Sequence, residues 1–200
     1  MQFPTCRTST FNLIWDTLGY GYRPFWGLDV GTEWPNLYFI MRPLSEPKNP
    51  LLEILNLLPK VLDHETALDD IPMIIYFDSK DMCRTIVRLL RQVMPSHLRE
   101  CVQAFSSDLE EDTKGAIWNS FRKSCTRILC VTDAAGMGCN VPDIKYVISF
   151  GLPKATSSVG QRWGHAGRDC KTEAVCILLV PVWAFRPSMS ASLQQLVIES

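Results

Sequence analysis

Apolar positions along this chain fall into short continuous runs separated by longer segments with helical spacing. The runs Met73–Phe77 (MIIYF), Ile128–Val131 (ILCV), Tyr146–Phe150 (YVISF) and Ala174–Val180 (AVCILLV) read as strands covered on both faces, as parallel strands are. Two more strands are expected at 36–42 (NLYFIMR) and Cys101–Phe105 (CVQAF). Asp78 and Ser79 can cap a helix that carries Met82, Ile86, Leu89 and Val93 on one face and Arg84, Arg88 and Arg91 on another. Hydroxyl and acidic residues at 106–111 (SSDLEE) open a helix through Phe121, and a further helix follows Pro153. Leu51–Leu62 is apolar all round, a packed helix that Pro59 should end or kink. Short helices are also expected at Phe11–Leu18 and Ser190–Ile198. Strands alternating with helices predict an α/β fold, a doubly wound and mainly parallel sheet with right-handed crossovers.

Residues 36–200 form the main domain in this reading. Residues 1–35 are an extension that mixes Gly, Pro and aromatics without a period. There Trp15, Phe25, Trp26 and Trp34 either pack against a neighbouring surface or offer stacking platforms for bases. A chain of 200 residues suits one domain, and 46% hydrophobic with 20% charged residues is a globular balance that excludes a disordered chain. The net charge of −1 provides no overall basic field, so contact with nucleic acid must come from local groups. No run approaches the roughly 18 apolar residues of a membrane span, and the first residues lack a basic segment followed by an apolar one. No membrane partner and no secretory leader are expected, and nucleus or cytoplasm is the expected location. The eight cysteines contain no Cys-x-x-Cys and the three histidines stand apart, which argues for buried thiols and against zinc; no metal ligands are assigned.

Candidate chemistry gathers between Arg127 and Asp169. After the ILCV strand comes Thr132-Asp133-Ala134-Ala135-Gly136-Met137-Gly138, a turn that can expose backbone N–H groups at the carboxyl end of a strand. An ordinary strand-to-loop turn needing glycine is the alternative, and Met137 fits packing. The helix after Pro153 ends in Gln161-Arg162-Trp163-Gly164-His165-Ala166-Gly167-Arg168-Asp169. An arginine on a rigid helix end can reach the γ-phosphate of a nucleotide held by another lobe and stabilise charge in phosphoryl transfer; the alternative for Arg168 is a salt bridge with Asp169. The Arg84, Arg88, Arg91 stripe is either a solvated face or a contact for a nucleic-acid backbone.

TDAAGMGCNVPDIKYVISFGLP resembles motif V of RecQ-type DNA helicases, QRWGHAGRD resembles their motif VI, and IIYFDSK resembles their motif IV. The likeness covers roughly residues 36–182. It implies a RecA-like domain of the P-loop NTPase type, the C-terminal lobe of an ATP-dependent 3′ to 5′ DNA helicase, with a remnant of the first lobe before it. ATP and Mg2+ would lie in a cleft with a Walker-bearing first lobe, and single-stranded or forked DNA would cross both lobes. By this resemblance Arg168 is the catalytic arginine finger. Gln161, Arg162, Gly164, His165, Gly167, Arg168, Gly136 and Asp133 face the nucleotide. Asp78, Ser79, Thr132, Asp133, Gly136, Met137 and Gly138 face DNA. The sequence departs from the pattern at His165, which replaces an arginine and lacks its guanidinium fork, and at Cys170, which replaces a glycine. Arg162 is an extra arginine that could compensate.

No Gly-x-x-x-x-Gly-Lys occurs, since none of the eleven glycines precedes a lysine, and no Asp-Glu-x-His follows a strand. This chain therefore carries the second half of an ATP site and should not hydrolyse ATP alone. It is expected to be part of a larger helicase, or else a stand-alone nucleic-acid-binding or regulatory module. A dinucleotide-binding enzyme is disfavoured, because Gly136-x-Gly138 lacks the third glycine and the ribose-binding acid.

Overall fold

The structure is a computed structural model that describes residues 34–45, 48–58, 72–133, 141, 144–153, 156–168 and 171–185. Strands β1 (Leu37–Pro43), β2 (Met73–Tyr76), β3 (Val102–Phe105), β4 (Ile128–Val131), β5 (Tyr146–Phe150) and β6 (Ala174–Val180) form one sheet in the order β1-β6-β5-β2-β4-β3. Every pairing is parallel. Helices α1 (Pro50–Leu55), α2 (Lys80–Val93), α3 (Glu111–Arg122) and α4 (Thr156–Trp163) lie between them, with 3-10 turns at Ser96–Cys101 and Val182–Phe185.

The two-residue period of the strands sorts their side chains onto two cores. Ile75, Phe77, Cys130, Ile148 and Leu179 pack with Cys83, Ile86, Val87 and Leu90 of α2. Ile74, Tyr76, Leu129, Val131 and Val147 pack with Phe121 of α3 and Ala166 just after α4. The handedness of the crossovers accounts for this division. From β2 the chain runs through α2 to β3 in one direction across the sheet, whereas α3 and α4 each carry it back the other way. Right-handed crossovers in opposite directions must use opposite faces. Central strands β2 and β4 are buried at every position, as their apolar runs predict, whereas edge strand β1 is largely open.

Three helices differ in detail from the sequence pattern. The core face of α2 is Cys83, Ile86, Val87 and Leu90, one residue off the expected phase, and Val93 is exposed. Ser79 caps α2 by accepting from Met82 N at 3.4 Å. Helix α3 begins at Glu111 with no side-chain cap. Residues 106–109 form a turn in which the Ser106 hydroxyl donates to Asp108, the local bonding by which Ser and Asp compete with helix. Helix α1 starts at Pro50 behind an Asn49 cap; the remainder of the expected Leu51–Leu62 helix from residue 59 on lies outside the described residues, as do the Phe11–Leu18 and Ser190–Ile198 helices. In the basic stripe, Arg84 pairs with Asp108 and Asp81, and Arg91 binds Val102 O and Glu100. Two of its three arginines are thus engaged within the fold, as on a solvated face. No helix among the described residues is long and apolar enough to cross a membrane.

Cys83 and Cys176 are buried, and desolvation pushes each thiol from about 9 up to about 12; Cys130 is pushed well up for the same reason. Alkylation of the native chain by iodoacetamide at pH 8 is expected to modify exposed Cys125 and to spare Cys83, Cys130 and Cys176, as read by peptide mapping. The folded state keeps protons on these thiols that the unfolded chain loses near pH 9. Urea unfolding should therefore show stability falling as pH rises from 9 toward 12.

Candidate nucleotide and nucleic-acid interface

The site grows from the carboxyl ends of β2 and β4. Tyr76 and Val131 are partners in register, so Asp78 and Asp133, each two residues further on, continue side by side on the face that α4 covers. Helix α4 sends Arg162 between them. Its Nε donates to Asp133 Oδ1 at 2.7 Å, and its Nη2 donates to Asp133 Oδ2 and Asp78 Oδ1, both at 3.0 Å. The guanidinium carbon lies 5.2 Å from the centre of the Tyr76 ring, a cation–π contact on the inner side.

The Arg162 side chain is 2% exposed, while those of Asp78 and Asp133 are 47% and 54% exposed. Burial pulls the arginine's pKa down, but the two carboxylates outweigh it and hold the pKa above its ordinary value, so the charge stays. The guanidinium faces inward, with no surface for a phosphate. Arg162 is therefore not an open guanidinium beside His165, as a compensating role would need. It ties together the segments after β2, after β4 and in α4.

Beyond α4 the chain makes a tight turn. Gly164 N, His165 N and Ala166 N donate to the carbonyls of Gly160 (2.9 Å), Arg162 (3.2 Å) and Trp163 (2.9 Å). Gly167 then adopts φ +50°, and a Cβ there would lie 2.5 Å from Asn36 Nδ2 and 2.8 Å from Thr172 O, so the position requires glycine. His165 is buried three residues after Arg162, and its ring centre is 6.3 Å from that of Tyr76. Arg168 is exposed, donates from Nε to Gly164 O at 2.8 Å, and places Nη2 3.0 Å from His165 Nδ1. A guanidinium can only donate, so Nδ1 accepts and the neutral ring carries its proton on Nε2. Asp169, the other candidate partner of Arg168, lies outside the described residues.

Asp78, Thr132, Asp133, Arg162, His165 and Arg168 are thus brought to one edge of the sheet. Thr132 is buried, and its hydroxyl and Arg162 Nη1 have no hydrogen-bond partner among the described residues. Ser79 sits at the α2 N-terminus and Gln161 is exposed on α4. Gly136, Met137 and Gly138 lie outside the described residues. Among the described residues no group of three His, Cys, Asp or Glu side chains could hold a metal ion. Sequence reasoning missed Tyr76, the floor under Arg162 and His165, whose apolar run gave no sign of a polar role. It also missed Asn36, whose only signal is a polar residue at the head of a strand.

The family model "Helicase conserved C-terminal domain" matches residues 53–170, and the chain belongs to this family. It is 28% identical over 106 residues to the RecQ-like DNA helicase blm-1 of Caenorhabditis elegans, covering 53% of this chain and 10% of that protein. It is 30% identical over 110 residues to the pre-mRNA-splicing ATP-dependent RNA helicase PRP28 of Gibberella zeae, covering 55% of this chain and 15% of that protein. Among solved structures, the yeast DEAD-box splicing factor Prp28 superposes with a TM-score of 0.66 at 16% identity, over 93% of this chain and 38% of that one. The fold is that of a RecA-like helicase lobe, and the chain spans a small part of the curated relatives it matches.

Replacing Arg162 by Gln should leave Asp78 and Asp133 facing each other without a cation. The expected loss is about 3 kcal/mol in urea unfolding, at the low end for a broken buried pair because both carboxylates are half open to water. Gly167→Ala should cost about 2–4 kcal/mol through its left-handed φ and the Asn36 contact. An Ala variant as stable as the parent would show that the turn can relax.

Proposed function

We propose that this chain is the C-terminal motor lobe of a RecQ-like ATP-dependent 3′ to 5′ DNA helicase. Its share of the ATP site is Arg168, and its share of the DNA track is the carboxyl edge formed by Asp78, Ser79, Thr132 and Asp133 with the Gly136–Gly138 turn. The observation that carries the reading is the exposed Arg168, its guanidinium held in the turn beyond α4 by Gly164 O and His165 Nδ1. An exposed, directed guanidinium on a hydrogen-bonded turn suits a γ-phosphate presented by a second lobe. Arg168 would withdraw charge from the phosphoryl oxygens as the bond to the leaving diphosphate lengthens. Gln161, on the exposed side of the same helix, would contact the other lobe.

His165 supports that arrangement without a charge of its own: a neutral imidazole accepting from Arg168 helps to fix the guanidinium's direction. Asp78 and Asp133 repel phosphate, and Arg162 offsets them from below, so the edge can approach a nucleic-acid backbone through hydroxyls and backbone N–H groups. The Mg2+ bound with the triphosphate would be held by a Walker-bearing first lobe and would neutralise phosphate charge there. The likeness to PRP28 makes single-stranded RNA the second reading for the nucleic acid.

Two measurements test this. Fluorescence anisotropy of the purified chain with labelled oligothymidylate and oligouridylate should show weak binding that falls steeply with salt, with a log–log slope of roughly −0.7 per phosphate contacted. Preference for oligouridylate would favour the RNA reading. No nucleic-acid-stimulated ATP hydrolysis is expected from the chain alone, whereas in the two-lobe protein Arg168→Ala should lower kcat by on the order of 10³-fold or more and leave nucleic-acid affinity unchanged. Turnover by the isolated chain, or undiminished kcat in that variant, would sink the assignment.

A further inference from the structure

We infer that Asn36, far in sequence from the turn that follows α4, is a positioning residue for Arg168. Asn36 precedes edge strand β1 and is separated from Gly167 by 131 residues. Its single amide nitrogen donates to Gly167 O at 2.8 Å and to Thr172 O at 2.9 Å. Its own carbonyl accepts from Ala174 N at 2.9 Å, at the point where β6 begins to pair with β1. One side chain thus fastens the chain on both sides of residues 168–171 to the head of the sheet.

The chemistry leaves one arrangement. Both acceptors are carbonyls, so the atom facing them must be the doubly donating nitrogen; a carboxylate or hydroxyl of similar size cannot supply two such bonds there. Gly167 is pinned from its other end as well, since its N–H donates to Ile144 O at 3.0 Å. With N–H and C=O both fixed, the peptide plane leading into Arg168 is fixed, and with it the direction in which that residue leaves the turn. The guanidinium is then held by its bonds to Gly164 O and His165 Nδ1. The left-handed Gly167, where a Cβ would meet Asn36 Nδ2 at 2.5 Å, is the close approach that these bonds require.

This role rests on reading Arg168 as the group that meets phosphate, and the test separates the two. The first measurement uses the 200-residue chain itself, labelled with 15N. The Nε–Hε resonance of Arg168, assigned by Arg168→Lys, is compared in the parent and in Asn36→Ala. Arg162, identified by its contacts with the Tyr76 ring, is the internal control, because its Nε–H is held by Asp133 and not by Asn36. The expected result is exchange with water at least tenfold faster at Arg168 Hε in Asn36→Ala, with Arg162 unchanged. Asn36→Asp, the same shape without the donors, should disturb Arg168 at least as much. An unchanged Arg168 resonance, or equal disturbance of both arginines, overturns the positioning role.

The second measurement is ATP hydrolysis by the two-lobe protein. Asn36→Ala should lower kcat by on the order of tenfold or more at a KM within twofold, as expected when a reacting group is slightly misplaced. Added to Arg168→Ala, it should cause no further loss. Full additivity overturns the role. Should Arg168→Ala itself leave hydrolysis intact, the arginine-finger reading fails, while the resonance comparison still decides whether Asn36 orients Arg168.

Discussion

Burying one guanidinium between two carboxylates is the constraint on which the rest of this edge depends. Arg162 leaves water almost completely, a cost that only near-complete neutralisation and good hydrogen bonding can offset. Asp133 supplies a bidentate partner, Asp78 a third bond, and the Tyr76 face an electron-rich floor. Because the carboxylates remain about half exposed, the cluster is dry below and wet above. The ends of β2 and β4 and the whole of α4 are thereby held in one relation, and everything displayed on that edge inherits it.

The sheet makes this meeting possible. Parallel strands bring all their carboxyl ends to one side, and the two-residue period then places Asp78 and Asp133 on the face that α4 must cover. Had either acid lain one residue earlier, its carboxylate would have pointed into the core shared with α2. The opposite directions of the crossovers place α4 on the correct face, so the ion cluster follows from handedness as much as from the identity of its residues.

The strands were legible because burial on both faces leaves a parallel strand no choice but an unbroken apolar run; MIIYF and ILCV admit little else. Helix phase was less legible. Met82, Ile86, Leu89 and Val93 satisfy a helical period as well as Cys83, Ile86, Val87 and Leu90 do, and only packing on β3 and β4 selects the second set. The start of α3 was obscured because Ser106 and Asp108 serve a turn as readily as a cap. For the candidate site, the Gly-rich turn and the arginine-bearing helix end stood out as local patterns. The bonds of Arg162 did not, because its partners lie 29 and 84 residues away and nothing local distinguishes an arginine that will be buried. Asn36 was hidden for the same reason across 131 residues.

Two arginines six residues apart consequently do opposite things. Arg162 and His165 sit three apart, the spacing that puts two side chains on one helical face, and both reach the Tyr76 ring. Continued helix would bring Arg168 close to that face as well. Instead Gly167 takes a left-handed conformation that L-residues avoid, and the chain turns outward, leaving Arg168 in solvent with its guanidinium folded back on His165. A histidine at 165 fits this geometry in a way an arginine would not, since a second guanidinium there could only repel Arg168 and could accept nothing from it. A neutral imidazole at 165 thus makes a hydrogen bond to Arg168 that a guanidinium in its place could not.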